Sequence, residues 1–338
     1  MRKTKYSGYH LSGVRAFTKP NFGLGSRQID KCLINASLEQ LGGMKNNTHL
    51  ARLPACRAFS AFLKENTDVK RLNQIEKSHV LQFGEHLRER FESESTFSAA
   101  SARDYLSHVN VCLAQARGDK ALKVLATKEL DYPSKTGIAT TDHSVSSEEH
   151  HYIVSNASEP VAVLAQLQRA FGLRMREASL LDCNKALQQL KDKAEISIER
   201  GTKGGQIRDV PCDTPIQIAA LERGAKLQSQ TGHDNLVPID MSFKAFQTAV
   251  WREHQRIDCG YRTHGERKHY ACEYYKQRMG ALPPVQAHIE HGKAHHTYLA
   301  QQLNISLTEA KQRDKEVRLG LSKLLGHHRL SISNAYIG

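Results

Sequence analysis

Six side chains with chemical reach are strung through the C-terminal half of the sequence. They are Arg174 in FGLRMREASLL, Lys203 in GTKGGQIRDV, His264 and Arg267 in THGERKHYACEYY, His327 in SKLLGHH, and Tyr336 nine residues after that histidine. Guanidinium and ammonium groups offer charge to an anion, imidazoles move protons, and a phenol supplies an oxygen nucleophile. Each has a plainer reading when taken alone. Arg174, with Glu177 three residues on, makes an ordinary surface ion pair. Lys203 suits a solvated turn, and His264 with Arg267 three apart suits a basic helix start. His327 after Gly326 fits a partner for a helix C-terminus, and Tyr336 an aromatic that pins a tail.

The elements that must hold these residues are mostly helical. In THLARLPACRAFSAFL, residues Leu50, Leu53, Cys56, Phe59 and Phe62 recur every three positions. Val80, Phe83, Leu87 and Phe91 do the same in the next segment, as do Tyr105, Val109, Cys112 and Ala116 in a third; this is the period of a helix with one buried face. Residues 46–130 therefore read as a helical domain. Before it, residues 1–45 mix basic residues with Gly, Ser and Asn and read as an extended basic arm with room for one short helix. DYPSKTGIATTDHSV, at 131–145, reads as a linker. Ser146 with Glu149 then offers a capping box. A helical run broken at Gly172 follows, and the period changes to two around a Gly-rich turn, where Ile196, Ile198, Ile207 and Val210 suggest a β-hairpin. Helices return to the end, giving a mainly α fold with a small β-hairpin, in two domains.

At 338 residues the chain is long enough for two cores, and 39% hydrophobic with 25% charged residues is a globular balance. No apolar run approaches a membrane span, and the basic start leads into no apolar segment, so a cytoplasmic protein is expected. Seven scattered cysteines without a CxxC pair read as free buried thiols. The net charge of +13 favours a polyanion, most often nucleic acid.

Taken in order, Arg…Lys…His-x-x-Arg…His…Tyr resembles the tyrosine recombinases, the phage-integrase family. The resemblance covers residues 146–338, and the helical domain before it is similar in position and character to that family's core-DNA-binding domain, together a two-domain clamp on DNA. It implies that Tyr336 forms a 3′-phosphotyrosine, that Arg174 and Arg267 clamp the phosphate with His327 as a further donor, and that Lys203 is the general acid. It also implies that His264 assists proton transfer or phosphate binding, that Glu177 fixes the arginine, and that neither metal nor cofactor is needed. The partners implied are double-stranded DNA with an inverted-repeat site, a homotetramer on two duplexes, accessory DNA-bending or directionality factors, and no membrane, all in the nucleoid. Integration or excision of a phage or other mobile element is the leading expectation. A type IB topoisomerase, a telomere resolvase, or a non-catalytic DNA-binding protein of the same fold are the alternatives.

Three features depart from the family pattern. About sixty residues separate Arg267 from His327, so an insertion is expected at about 280–315, with His288, His291, His295 and His296 in a solvated or DNA-facing loop. Glu266 stands where an apolar residue is usual. Only Ile337 and Gly338 follow Tyr336, so either the natural chain runs further or protomers communicate through the insertion or the arm. Arg2, Lys3, Lys5, Arg15 and Lys19 are expected to give the arm its affinity for DNA.

Overall fold

The computed structural model describes residues 15–338. Arg2, Lys3 and Lys5 lie outside the described residues. The chain divides into two units, residues 1–136 and 137–338. Among the described residues both are helical apart from one two-stranded sheet, and no helix is long and apolar enough to cross a membrane.

The first unit is built from α1 (Ile29–Gln40), α2 (Asn47–Asn66), α3 (Lys77–Ser93), α4 (Ala99–Arg117) and the single turn α5 (Ala126–Glu129). Side-chain caps from Asn46 and Ser98 start α2 and α4, and Gly118 in the left-handed region ends α4. Phe59 meets Phe83 edge to face at 5.0 Å in a core that also takes Cys56, Leu87, Val109 and Leu113. Each such apolar side chain contributes about 1.5–3 kcal/mol when fully buried.

The arm expected over 1–45 had room for one short helix, and α1 fills it, but that helix is packed into the unit. Ile29, Cys32, Leu33 and Ala36 lie at helical spacing and bury against α2 and α4. Arg15 is corrected too, because it is only 6% exposed. Its Nε lies 2.8 and 2.9 Å from the two carboxylate oxygens of Glu39, and its Nη groups donate to the carbonyls of Phe22, Ala116 and Gln115. That guanidinium is spent inside the protein, whereas Lys19 is exposed. The stretch 131–145 is likewise not a free tether. Tyr132 is buried in the first unit with its hydroxyl on the Gly84 carbonyl at 2.6 Å, while Ala139 and Val145 donate backbone hydrogen bonds to Asn334 and Gly265 in the second.

The second unit runs α6 (Ser147–Asn156), α7 (Glu159–Phe171), α8 (Met175–Leu180), α9 (Cys183–Gln189), β1 (Glu195–Ile198), β2 (Arg208–Pro211), α10 (Pro215–Thr231), α11 (Phe243–Ile257), α12 (His264–Met279), α13 (Pro284–Ala287), α14 (Lys293–Leu303), α15 (Leu307–Leu324) and α16 (Asn334–Ile337). Helix α7 is its centre. Six of its residues from Val161 to Leu167, Gln166 excepted, are buried, and α6, α8, α10 and α12 pack around it. The antiparallel pair β1 and β2 sets Ile196 opposite Val210 and Ile198 opposite Arg208. Ile207, just before β2, is 66% exposed in the turn.

The stretch 280–315 is the largest correction. It is helical, not a loop: α14 and α15 pack on each other and α15 packs on α12. The four histidines go separate ways. His288 is exposed, the His295 ring donates to the Leu282 carbonyl, and His296 turns to Asp314. His291 accepts a long contact from Asn334.

Gly172 closes α7 at φ +60°, and a Cβ there would stand 2.4 Å from Cδ1 of Tyr270. Gly232 closes α10 at φ +68° into open space. Gly172→Ala should therefore combine backbone strain of about 1–3 kcal/mol with a steric cost, and Gly232→Ala the strain alone. Thermal unfolding of the two variants should show the larger drop for Gly172→Ala; equal drops would mean Tyr270 moves aside freely.

Candidate active site

The site is assembled around the carboxylate of Glu177. Gly172 turns the chain out of α7, and Arg174 sits at the N-cap of α8 in extended backbone. Glu177, at the third helical position, then folds back so that its Oε2 accepts the Arg174 backbone N–H at 2.8 Å. Its Oε1 accepts the Arg174 guanidinium at 2.6 Å. Arg208, facing inward from β2, donates to both carboxylate oxygens at 3.0 and 2.8 Å and from Nε to the Leu324 carbonyl at 2.7 Å. Arg267 Nη1 stands 3.7 Å from the same carboxylate. Burial pushes the Glu177 carboxyl up, but hydrogen bonds and charge from Arg208 and Arg174 outweigh it and hold the group at about 2. Three guanidiniums against one carboxylate leave a net charge of +2 (3 − 1).

Arg267 is fully buried on α12. It donates to the carbonyls of Gly172 and Leu325, and its Nε donates to the Tyr336 hydroxyl at 3.2 Å. These bonds use three of its five N–H groups. Tyr336, on α16, is 8% exposed, with the Arg267 guanidinium carbon 5.4 Å from its ring centroid. The His264 ring, at the start of α12, lies 5.7 Å from the same ring.

His327 follows Gly326 past the end of α15, its backbone N–H on the Ser322 carbonyl. Its Nε2 lies 2.9 Å from Nη2 of Arg174. Arginine only donates, so Nε2 accepts and the proton of the neutral ring sits on Nδ1. Burial, then the charges of Arg174, Arg267, Arg208 and Lys203, push His327 down to about 4. Partial enclosure, then Arg267, Lys268 and Arg174, push His264 down to about 4 as well, although that residue keeps an edge open to solvent. Both rings are neutral at pH 7. Lys203 is exposed in the turn between β1 and β2. That turn is tied to the site because Gly201 packs on the α8 backbone and Gln206 accepts from His328 at 3.2 Å.

Arg174, Glu177, Arg267, His327, Tyr336 and His264 thus come together, with Lys203 at the rim. Arg208 was missed by the sequence reasoning, although there was a signal. It shares the inward side of β2 with Val210, and a charged residue at an inward strand position needs a buried partner. Glu266 also has its explanation. It is fully buried and receives Arg169 at 2.8 Å, the Tyr261 hydroxyl at 3.0 Å and His150 at 2.8 Å, so a polar network replaces apolar packing there. Among the described residues no three His, Cys, Asp or Glu side chains gather as a metal site.

Glu177→Gln should destabilise the protein by about 3–5 kcal/mol at pH 7, because Arg208 loses a buried counter-charge. The native carboxyl titrates below its ordinary value of 4.5, so the stability it lends is complete above that pH and is lost as pH falls toward about 2. Denaturant unfolding followed from pH 7 to pH 2 should show that acid-dependent loss in the parent and a shallower one in Glu177→Gln.

Residues 134–273 match the family model described as Integrase. No curated protein sequence matches the chain. Among solved structures, the Tn1549 transposon integrase in complex with transposon right end DNA is similar over 92% of this chain and 95% of that one, at 10% identity and a TM-score of 0.54. The XerH site-specific recombinase bound to palindromic difH substrate is similar over 92% and 80%, at 15% identity and a TM-score of 0.51. A lambda integrase dimer bound to a COC′ core site is similar over 83% and 75%, at 15% identity and a TM-score of 0.50. At these identities the likeness is one of fold, and the family-model match lies almost wholly in the second unit. The family-model match spans 140 of the 338 residues, and over that stretch the second unit is similar to the integrase family.

Proposed function

We propose that the protein is a site-specific DNA recombinase that cuts and rejoins strands through a 3′-phosphotyrosine on Tyr336. The observation that carries this reading is the Tyr336 hydroxyl held by Arg267 inside a pocket of net positive charge. A phosphodiester is an anion whose non-bridging oxygens gain charge during in-line attack, and fixed guanidinium donors stabilise that charge without reorganising.

In the cleavage step the Tyr336 oxygen forms a bond to phosphorus, and the bond from phosphorus to the 5′ oxygen breaks. The phenolic proton leaves toward His264, which is neutral and able to accept it. Lys203 supplies a proton to the departing 5′ oxygen from the exposed turn. Arg174 and Arg267 hold the phosphate, and His327 joins them. Rejoining is the reverse: a 5′ hydroxyl attacks the phosphotyrosine and the phenol leaves, so the energy of the phosphodiester is kept and no external energy source is required. Exchange between two duplexes involves four strand cuts, which a homotetramer with one tyrosine per strand would make. A double-stranded site with inverted repeats fits such an assembly, and integration or excision of a mobile element is the process it would serve.

Covalent capture tests the chemistry. The parent protein incubated with fragmented host and mobile-element DNA, then denatured, should retain DNA at one short inverted-repeat site; Tyr336→Phe should bind that site with unchanged affinity and retain none. Adducts that persist in Tyr336→Phe would remove the mechanism, and adducts without sequence preference would indicate a topoisomerase. A second outcome concerns the acid. Lys203→Ala should cleave a normal phosphodiester about 10²–10⁴-fold more slowly, and a 5′-bridging phosphorothiolate, whose leaving group needs no proton, at the parent rate. Equal losses on both substrates would exclude Lys203 as the acid.

A further inference from the structure

A further buried ion pair, outside the set of residues gathered at Glu177, lies next to the turn that carries the nucleophile. Asp314 and Arg318 are one turn apart on α15 and are 4% and 1% exposed. Arg318 Nε lies 2.9 Å from both carboxylate oxygens of Asp314. Asp314 also accepts the buried Tyr275 hydroxyl from α12 and His296 from α14, the latter at 3.3 Å. The other end of Arg318 points to α16. Its Nη1 donates to the Asn334 side chain at 3.0 Å and to the Gly338 carbonyl at 2.6 Å. Those acceptors are two residues before and two residues after Tyr336.

We propose that Arg318 is a positioning residue for Tyr336, gripping both ends of the single turn that carries the phenol, while Asp314, Tyr275 and His296 hold the guanidinium in place. A buried pair of this kind is a poor source of net stability, since apolar residues of similar volume do as well. What it supplies is direction: N–H donors set at fixed angles to a turn too short to hold its own shape. The geometry also explains why one pair serves both halves of the site. Tyr275 and Arg267 are on the same helix, so the chain Tyr275, Asp314, Arg318, α16 fixes the phenol relative to the arginine it must meet. The stretch 280–315 then has a role, because α14 packs on α15, which carries the pair, and α13 packs on α16. A displacement of about 1 Å at a reacting atom is enough to cost about 10²-fold in rate.

This inference rests on the recombinase reading for its kinetic consequence, so two readouts are paired in the full-length protein. Backbone hydrogen exchange reports the clamp without any activity. Arg318→Met should raise exchange at residues 334–338 at least about tenfold, leave α7 and α10 unchanged, and be partly reversed by Arg318→Lys. Asn334→Ala, which keeps the Asp314–Arg318 pair intact and removes one grip, should raise the same amides by less, and it serves if Arg318→Met does not fold. On DNA, Arg318→Met and Asn334→Ala should bind with the parent dissociation constant and form the covalent adduct more slowly in a single turnover, about 10²-fold for Arg318→Met. Unchanged exchange at 334–338 in both variants overturns the clamp. Raised exchange with a parental adduct rate overturns the positioning role. A parent protein that forms no adduct on any DNA counts against the recombinase reading, while the exchange data still decide whether Arg318 holds the turn.

Discussion

The site depends on a single carboxylate. Arg174, Arg208 and Arg267 approach one another inside a protein interior, where like charges repel strongly and none can lose its proton. Glu177 makes the arrangement possible by accepting N–H groups from two of them and lying close to the third. It does so from a helix N-terminus whose backbone it also satisfies. The balance leaves the cluster with a net positive charge, which on the proposed reading would favour an anion. Arg208 is the least obvious member. It stands between Glu177 and the Leu324 carbonyl, so it links α8 to the end of α15, from which His327 follows.

Four separated segments have to agree on a few ångströms for this to work, and each is fixed by a local device. Gly172 offers its carbonyl to Arg267 from a left-handed turn. The buried face of the hairpin presents Arg208. Network contacts from Arg169, Tyr261 and His150 anchor Glu266 at the start of α12, next to Arg267. Past α15, the Leu325 carbonyl accepts from both Arg174 and Arg267, which joins the two guanidiniums through one backbone group. Helix α7 carries none of the reacting groups. Its contribution is to be apolar on nearly all sides, so that the elements bearing them pack against one rod.

How much of this was legible depends on where the information lay. Arg174, Lys203, His264, Arg267, His327 and Tyr336 could be singled out because their types and order form a pattern, and several helices of both units because their apolar period is regular. Arg15 could not. Its segment is basic and aperiodic, and its partners are Glu39 and the carbonyls of Gln115 and Ala116, a hundred residues away in sequence. The stretch 280–315 misled for a related reason. Its helices bury few apolar residues, and much of what holds them is the polar network of Asp314, Arg318, Tyr275 and His296, which has no hydrophobic period to detect. Glu266 looked like a packing fault because its three partners come from three other parts of the chain. Tertiary polar pairing is the part of this fold that a linear pattern does not reveal.

The resting state of the site bears on how a phosphate would enter. Arg267 spends three donors on Tyr336 and two carbonyls, all of them fixed, while Arg174 spends one on the neutral ring of His327. Burial, and then the positive charge of Arg174 and its neighbours, favour the neutral His327 ring, whose Nε2 accepts the Arg174 hydrogen bond. On the reading proposed above, an arriving anion would compete for the Arg174 donor and offset part of the positive charge around the ring. The remaining framework of Glu177, Arg208 and the carbonyls need not move. On that reading much of the cationic framework is already in place in the resting structure, the condition under which electrostatic stabilisation of a transition state is most effective.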